Sequence, residues 1–136
     1  MKVIISFPPL KTEKGYAALG QNRQFQYFKA PTYIYPVVPV TAATMFKEAG
    51  LDVSWLDCIA EGIDYDDFLS IIRQESPDII AFEVKTPVVK YMGTVVDDIK
   101  RINSLIKAVL FGDHVDALAG ESFQNSNEKN KILRGV

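Results

Sequence analysis

Short apolar runs alternate with amphipathic segments along most of the chain. Residues 3–5, 53–56, 79–82 and 108–111 are rich in Val, Ile, Leu and Phe, and each run has the length of a short strand. Apolar runs of this kind suit strands that are buried on both faces of a sheet. They predict four strands, and residues 132–133 indicate a short fifth one.

Two helices are predicted before the third strand. In the first, Gly50 stands where a left-handed C-terminal cap belongs. In the second, Asp64 is a suitable N-cap, and the negative charge of Asp67 is favourable in the first turn. Ser76 followed by Pro77 ends the helix. Apolar side chains recur at helical spacing in both, at Val38, Ala42, Met45, Phe46 and Ala49 in the first and at Tyr65, Phe68, Leu69 and Ile72 in the second.

A third helix is predicted after the third strand. Thr86 supplies a capping hydroxyl, and Pro87 suits the first helical position. The apolar stripe of this helix consists of Val88, Met92, Val95, Val96, Ile99 and Ile102.

A weaker helix is predicted over residues 116–123. Residues 11–36 show no clean period, so we expect a loop that holds at most one turn of helix.

Strands that alternate with helices are typical of βαβ units, whose right-handed crossovers build a parallel sheet. The 136 residues are therefore expected to form one α/β domain, residues 1–136. The predicted fold is flavodoxin-like (Rossmann-like), a three-layer sandwich around a five-stranded parallel sheet of order 2-1-3-4-5. Ligands of such sheets bind in the crevice outside the carboxyl ends of strands one, three and four.

The loops that meet at this crevice supply the candidate binding residues. They are Phe7, Pro8 and Pro9 after the first strand, Lys85, Thr86 and Pro87 after the third, and Gly112, Asp113, His114 and Val115 after the fourth. His114 is the single histidine of the chain. Because a lone histidine lacks the companion ligands of most metal sites, we favour a loop residue that contacts a ligand over a structural residue or a metal ligand.

Other side chains near the strand ends have competing interpretations. Gly112 lacks a Cβ, which lets the backbone approach a large flat ligand. Cys58 is expected to act as a small buried hydrophobe, and Glu83 with Lys85 as a solvated ion pair. Thr86 either caps a helix alone or also contacts the ligand. Five aromatic residues either pack in the core or a domain interface, or cover a ligand face: Phe25, Tyr27, Phe28, Tyr33 and Tyr35.

Composition narrows the classes of function. A net charge of −2 and an isoelectric point near 5.4 offer no basic surface for nucleic acid. No apolar run is long enough for a signal peptide or a membrane span, so a cytoplasmic protein without membrane contact is expected. Cys58 is the single cysteine, which excludes an intrachain disulfide and a cysteine-held iron–sulfur cluster within this chain.

Several common occupants of the crevice lack their motifs here. A dinucleotide site needs G-x-G-x-x-G after the first strand, and residues 6–10 contain no glycine. Gly15 and Gly20 have the spacing of a P-loop but are followed by Gln-Asn instead of Lys and Ser or Thr. The loop after the first strand is also too apolar for an FMN phosphate site. A phosphate-receiver domain would need acidic residues at the end of the first strand and an aspartate at the end of the third, and the sequence has neither.

Taken together, the strand endings resemble a known family. The chain is similar to the N-terminal cobalamin-binding domain of B12-dependent radical SAM proteins, nearest to the anaerobic magnesium-protoporphyrin monomethyl ester cyclase group. The resemblance spans nearly the whole chain. It rests on Pro8-Pro9, Glu48-Ala49-Gly50, Asp57-Cys58-Ile59-Ala60-Glu61-Gly62, Ser76-Pro77-Asp78-Ile79-Ile80, Gly112-Asp113-His114-Val115 and the insertion at residues 21–28 and 31–36.

The resemblance implies a cobalamin bound base-off. Methionine synthase and the B12 mutases place D-x-H-x-x-G after the first strand, so that the histidine replaces the cofactor's own base on cobalt. Residues 57–62 have that spacing, but Ile59 stands in the histidine position and the segment follows the second strand, so the match is interpreted as accidental. No protein histidine is therefore expected on cobalt.

The cysteine content departs from the family in one respect. Radical SAM enzymes carry C-x3-C-x2-C on a separate barrel for the 4Fe-4S cluster that cleaves S-adenosylmethionine, and a chain with Cys58 alone lacks it. We therefore expect no catalysis by this chain alone and interpret it as a stand-alone carrier or, in preference, an excised domain, whose partners are cobalamin and a radical SAM catalytic domain. The alternative is a cofactor-free flavodoxin-like interaction or regulatory domain.

Overall fold

A four-stranded parallel sheet and a small antiparallel sheet organise the part of the chain that the computed structural model describes, residues 1–18, 26–30 and 33–117. A short 3-10 turn at Thr86–Val88 precedes the third helix. The elements in chain order are β1 (Lys2–Phe7), β2 (Lys11–Thr12), β3 (Gly15–Ala18), β4 (Gln26–Phe28), α1 (Val37–Glu48), β5 (Asp52–Asp57), α2 (Tyr65–Glu75), β6 (Ile79–Glu83), α3 (Val89–Ile102), β7 (Lys107–Phe111) and α4 (Asp113–Ala117).

The parallel sheet has the order β5-β1-β6-β7, and all of its strand pairs are parallel. In register, Ile5 of β1 lies beside Trp55 of β5 and Ala81 of β6. This is the order predicted for the first four strands, so that part of the flavodoxin-like prediction is confirmed. The predicted fifth strand at residues 132–133 lies outside the described residues.

Side chains of β1 alternate between the two faces of the sheet, as they must in a strand. Ile4 belongs to the larger core cluster, which also includes Phe68 of α2 and Met92 of α3. Val3 and Ile5 point to the opposite face, where Ala42 and Ala43 of α1 pack. The sheet is therefore covered by α2 and α3 on one face and by α1 on the other.

The helices α2 and α3 follow the sequence predictions closely. Asp64 caps α2, since its side chain accepts a hydrogen bond from the Asp67 amide at 2.9 Å. Ser76 then ends the helix in a left-handed conformation, with Pro77 directly after it. The stripes predicted for the two helices supply their buried side chains, among them Phe68, Ile72, Met92, Val95, Val96 and Ile99.

Helix α1 turns a different face to the sheet than its apolar stripe indicated. The small side chains of Ala42 and Ala43 contact the sheet, and Pro39 is the buried residue of the helix. Val38, Met45 and Phe46 remain 48%, 62% and 43% exposed. Two adjacent alanines allow the backbone of α1 to approach the strands closely, and this displaces the larger side chains from the interface. Gly50 adopts the predicted positive φ, at +84°, just beyond the helix.

The expectation of a loop over residues 11–36 was wrong, because β2, β3 and β4 form an antiparallel sheet there. These strands have two to four residues, too few to show a period of two in the sequence. Gly15 permits the pairing, since it has φ +114° and a Cβ at this position would lie 2.2 Å from the Phe28 carbonyl oxygen. Ala17 and Tyr27 join this sheet to the main core.

The segment after β7 is also more helical than predicted. Helix α4 begins at Asp113, three residues before the predicted start, so Asp113, His114 and Val115 belong to its first turn instead of a loop. The remainder of the predicted helix, residues 118–123, lies outside the described residues.

In the described part of the chain, no helix has the length and apolar character that crossing a membrane requires.

Candidate functional site at the carboxyl edge of the sheet

The three loops that were predicted to meet do lie at one edge of the sheet. They follow β1, β6 and β7, which are parallel neighbours and therefore end on the same side. The Val84 amide donates a 2.8 Å hydrogen bond to the Phe111 carbonyl, which joins the ends of β6 and β7. The Cys58 amide donates to the Phe7 carbonyl at 3.0 Å and joins the ends of β5 and β1. Backbone hydrogen bonds thus fix the edge on which a ligand would rest.

His114 is buried at this edge with one ring nitrogen in use. The side chain is 3% exposed, and its Nδ1 lies 3.1 Å from the Thr86 hydroxyl oxygen. Nε2 is buried and has no hydrogen-bond partner among the described residues. Buried polar atoms are nearly always paired, so an unpaired ring nitrogen at a ligand-binding edge marks a position where a ligand atom can bond.

Thr86 has a different role from the one that its position before Pro87 predicted. No side-chain cap is present at the start of the 3-10 turn or at the start of α3. The Thr86 hydroxyl pairs with His114 instead, and so links the loop after β6 to the loop after β7. The prediction that the Thr86 hydroxyl caps the helix was therefore wrong, because this hydroxyl bonds to the distant side chain of His114 instead of to the helix end.

Gly112 is required at the end of β7 for close packing within the protein. Its φ is +111°, and a Cβ would lie 3.0 Å from the Val84 carbonyl oxygen and 3.3 Å from Cγ of Glu83. The space that a side chain would occupy is thus filled by the end of β6 instead of facing a ligand. The glycine shapes the edge by letting β6 and β7 end close together.

Glu83 and Lys85 form a buried ion pair and not the solvated pair that the sequence suggested. The Lys85 ammonium lies 3.0 Å from Oε1 of Glu83, and the two side chains are 12% and 7% exposed. They flank Val84, whose side chain is fully buried. A carboxylate buried this deeply needs its cation, so Lys85 is held at the candidate site by Glu83.

The remaining predicted site residues are placed as follows. Pro8 is buried and Pro9 half-buried on the loop after β1, while Pro87 is exposed. Phe7 packs edge-to-face on Trp55 with ring centroids 5.1 Å apart. Val115 is fully buried against the main core. The side chain of Asp113 lies outside the described part of the structure.

Two residues at this edge were not predicted as site residues from the sequence. The Ser6 hydroxyl is fully buried near the end of β1, beside the thiol of Cys58. The Tyr91 hydroxyl donates a 2.6 Å hydrogen bond to the Pro9 carbonyl across 82 positions of sequence. A polar residue directly before Phe7 was a visible signal for Ser6, but nothing local in the sequence pairs Tyr91 with a proline carbonyl.

Residues 57–62 use their aspartate to build a turn. Oδ1 of Asp57 accepts hydrogen bonds from the Ile59 amide at 3.1 Å and the Ala60 amide at 2.9 Å. Gly62 follows with φ +66°. This aspartate is therefore engaged in its own turn, which agrees with the interpretation of the D-x-x-x-x-G spacing as accidental.

Cys58 behaves as the predicted small hydrophobe. Its side chain belongs to the main core cluster and is 2% exposed. Burial, together with the carboxylates of Asp57 and Glu61, raises the pKa of the Cys58 thiol to about 12. The thiolate is the reactive form, so this cysteine is protected at neutral pH.

We expect the stability of the protein to fall as the pH rises above about 9, since Cys58 then ionises more readily in the unfolded chain than in the folded one. The stabilising contribution is complete below the unfolded pKa and is lost as the pH approaches the folded value near 12. Urea unfolding at about pH 8 and about pH 10 measures the change. The Cys58→Ala variant should lose less stability over this interval, and equal losses in both proteins would contradict the assignment.

Among the described residues, no group of three or more His, Cys, Asp or Glu side chains is arranged to hold a metal ion. An open surface depression of about 610 Å³ lies between the C-terminal halves of α2 and α3, lined by residues that include Arg73, Asp98 and Arg101. These helices run antiparallel to the strands, so the depression lies toward the amino edge of the sheet, away from the three loops.

The family comparison supports a cobalamin-binding domain over a cofactor-free one. Residues 28–129 match the family model of the B12 binding domain, which is about three-quarters of the chain. The chain belongs to the B12-binding domain family. No curated protein and no solved structure shows significant similarity to the chain.

The matched range of the B12 binding domain includes two of the three loops at the candidate site. Lys85, Thr86 and Pro87 lie within it, as do the four residues 112–115, whereas β1 and its Phe7–Pro9 segment precede it. Features of this structure also fit a cobalamin. The unpaired Nε2 of His114 offers a polar contact beside apolar loops, a combination suited to a large ligand with an apolar ring and amide side chains.

Proposed function

We propose that this chain binds cobalamin at the carboxyl edge of its parallel sheet and positions the corrinoid for a radical SAM catalytic domain. Membership of the B12-binding domain family supports the ligand. The observation that carries the location is His114, a buried histidine whose Nε2 has no partner among the described residues at the edge where ligands of such sheets bind.

Each loop has a distinct role in this proposal. Phe7 and Pro8 are buried and support the loop after β1, half-buried Pro9 supplies apolar surface, and the proline backbone leaves that loop little freedom to move. Thr86 fixes the His114 ring through Nδ1, so that Nε2 is left for a polar group of the ligand. Lys85 is held by Glu83 and places its ammonium group beside the site. Gly112 and Asp113 bring the end of β7 to the same edge.

Bound cobalamin supplies a cobalt centre for alkyl or electron transfer, and the protein supplies its position and surroundings. We propose the base-off form with no protein histidine on cobalt. The support is that the segment directly after β1, residues 8–10, contains no histidine, and that the single histidine, His114, follows β7 instead. In the same proposal His114 contacts the corrin and not the cobalt.

The radical SAM partner in this proposal rests on the sequence resemblance, and this chain could not hold the cluster of such a partner. Its single cysteine, Cys58, is buried in the core, whereas a 4Fe-4S cluster needs several thiolates. The cluster and S-adenosylmethionine would belong to a catalytic domain of a longer, cytoplasmic parent protein. This chain then contributes the corrinoid, and the substrate is bound elsewhere.

Titration with hydroxocobalamin, followed by the fluorescence of Trp55, tests the proposal. Trp55 is the single tryptophan, and its ring contacts Phe7 of the candidate site. Because cobalamin absorbs near the tryptophan emission, binding should quench Trp55 in a saturable manner, beyond the linear loss that free N-acetyltryptophanamide shows. Linear quenching alone would contradict cobalamin binding and favour a cofactor-free interaction domain.

Electron paramagnetic resonance of the bound Co(II) form tests the axial claim. We expect a spectrum without nitrogen hyperfine splitting, since neither the cofactor's own base nor a histidine would be on the cobalt. The His114→Gln variant should give the same spectrum with weaker binding. Nitrogen splitting that disappears in His114→Gln would show instead that His114 is a cobalt ligand.

A further inference from the structure

Three backbone carbonyls hold the segment that follows β1. Phe7 O accepts from the Cys58 amide at 3.0 Å, and Leu10 O accepts from the Ala17 amide at 3.2 Å. Between them, Pro9 O accepts from the Tyr91 hydroxyl at 2.6 Å. The two prolines have no amide hydrogen to donate, so carbonyls are the polar backbone groups by which this part of the segment is held. Of the three donors, Tyr91 is the side chain, and substitution can remove it.

Tyr91 lies where it can link the loops of the candidate site. It is the third residue of α3, which begins directly after the 3-10 turn at Thr86–Val88. Its hydroxyl reaches the loop after β1, while Thr86 at the start of the turn reaches His114 after β7. The loop after β6 and its helix are thus joined by side-chain hydrogen bonds to both of the other loops.

We propose that Tyr91 is a positioning residue that holds the Pro8–Pro9 loop in the conformation that binds cobalamin. The inference rests on the proposed function for its ligand, but the positioning itself is a property of the free protein. Burial raises the pKa of the Tyr91 phenol to about 12, so the hydroxyl stays protonated and donates throughout the neutral range. The Pro9 carbonyl can only accept, which fixes the direction of the bond.

Tyr65 provides a matched control on the neighbouring helix. Its ring lies 6.3 Å from that of Tyr91, and both side chains are half-buried. The Tyr65 hydroxyl donates to Oδ2 of Asp98 at 2.8 Å and not to a loop of the candidate site. Tyr65→Phe therefore removes a similar hydroxyl and a similar hydrogen bond without releasing the Pro9 carbonyl.

Amide hydrogen exchange in the free protein tests the positioning. In Tyr91→Phe, we expect faster exchange at the amides of Ala17 and Cys58, since both bond to carbonyls of the same segment. The Ile80 amide, in the centre of the sheet, should exchange as in the unsubstituted protein. In Tyr65→Phe, all three amides should be unchanged. Unchanged exchange at Ala17 and Cys58 in Tyr91→Phe would overturn the proposal.

Affinity for hydroxocobalamin tests the consequence for binding. Loss of one hydrogen bond that holds a loop should weaken binding roughly threefold to tenfold in Tyr91→Phe. Tyr65→Phe should bind within about twofold of the unsubstituted protein. Faster exchange with unchanged affinity, or equal losses in both variants, would overturn the role of Tyr91 in binding. If the unsubstituted protein itself does not bind cobalamin, the proposed function fails while the exchange result still decides the positioning.

Discussion

Replacing Lys85 with methionine is expected to lower the free energy of unfolding by about 3–5 kcal/mol, because the substitution leaves the buried Glu83 carboxylate without its cation. The pair has an N–O distance of 3.0 Å, and the Glu83 side chain is 7% exposed. Water therefore cannot take the place of the ammonium. Urea unfolding of the two proteins at neutral pH measures the difference.

The matched control is Arg101→Met on α3. Arg101 pairs with Asp98, but its side chain is 75% exposed, so the loss should be below about 1 kcal/mol. The double variant Glu83→Gln with Lys85→Met should recover part of the stability, since neither partner is then charged. If Lys85→Met costs no more than Arg101→Met, the Glu83–Lys85 pair is solvated, as its sequence alone indicated.

Gly112→Ala is expected to destabilise the protein by about 1–3 kcal/mol and to weaken cobalamin binding at least about tenfold. The new Cβ would lie 3.0 Å from the Val84 carbonyl oxygen at a φ of +111°. Relief of this contact requires the ends of β6 and β7 to separate. That movement stretches the bond from the Val84 amide to the Phe111 carbonyl and shifts His114.

Gly50→Ala separates backbone strain from the effect on the site. Gly50 has φ +84°, but a Cβ there would meet no atom within 4 Å. We expect a stability loss of about 1 kcal/mol from conformation alone, with unchanged binding. Thermal unfolding and cobalamin titration of both variants make the comparison. Equal binding by Gly112→Ala and the unsubstituted protein would show that the end of β7 is not part of the site.

The sequence was sufficient for the parallel sheet because its elements carry strong local signals. The buried strands are continuous apolar runs, and the order of the four strands is the one expected for the flavodoxin-like fold that alternating strands and helices indicate. In the sequence, Asp64 indicates the start of helix α2 and Pro77 indicates its end. The antiparallel sheet gave no such signal, since its strands are very short and depend on Gly15 packing against Phe28.

The position of the candidate site could be predicted from the sequence, but the bonding partners of its side chains were harder to predict. The parallel topology alone locates the three loops, and the single histidine draws attention to the last of them. Which partner each side chain takes is decided by tertiary packing. Thr86 therefore bonds to His114 instead of a helix end, and Lys85 is buried with Glu83. Tyr91 was missed for the same reason, since its partner is distant in sequence.

The visible spectrum of the protein after mixing with hydroxocobalamin and desalting tests the central claim most directly. Cobalamin binding at the carboxyl edge predicts that the corrinoid spectrum elutes with the protein, at about one cobalamin per chain, and that Gly112→Ala retains less of it while Gly50→Ala retains as much. A colourless protein, under both oxidising and reducing conditions, would contradict the claim.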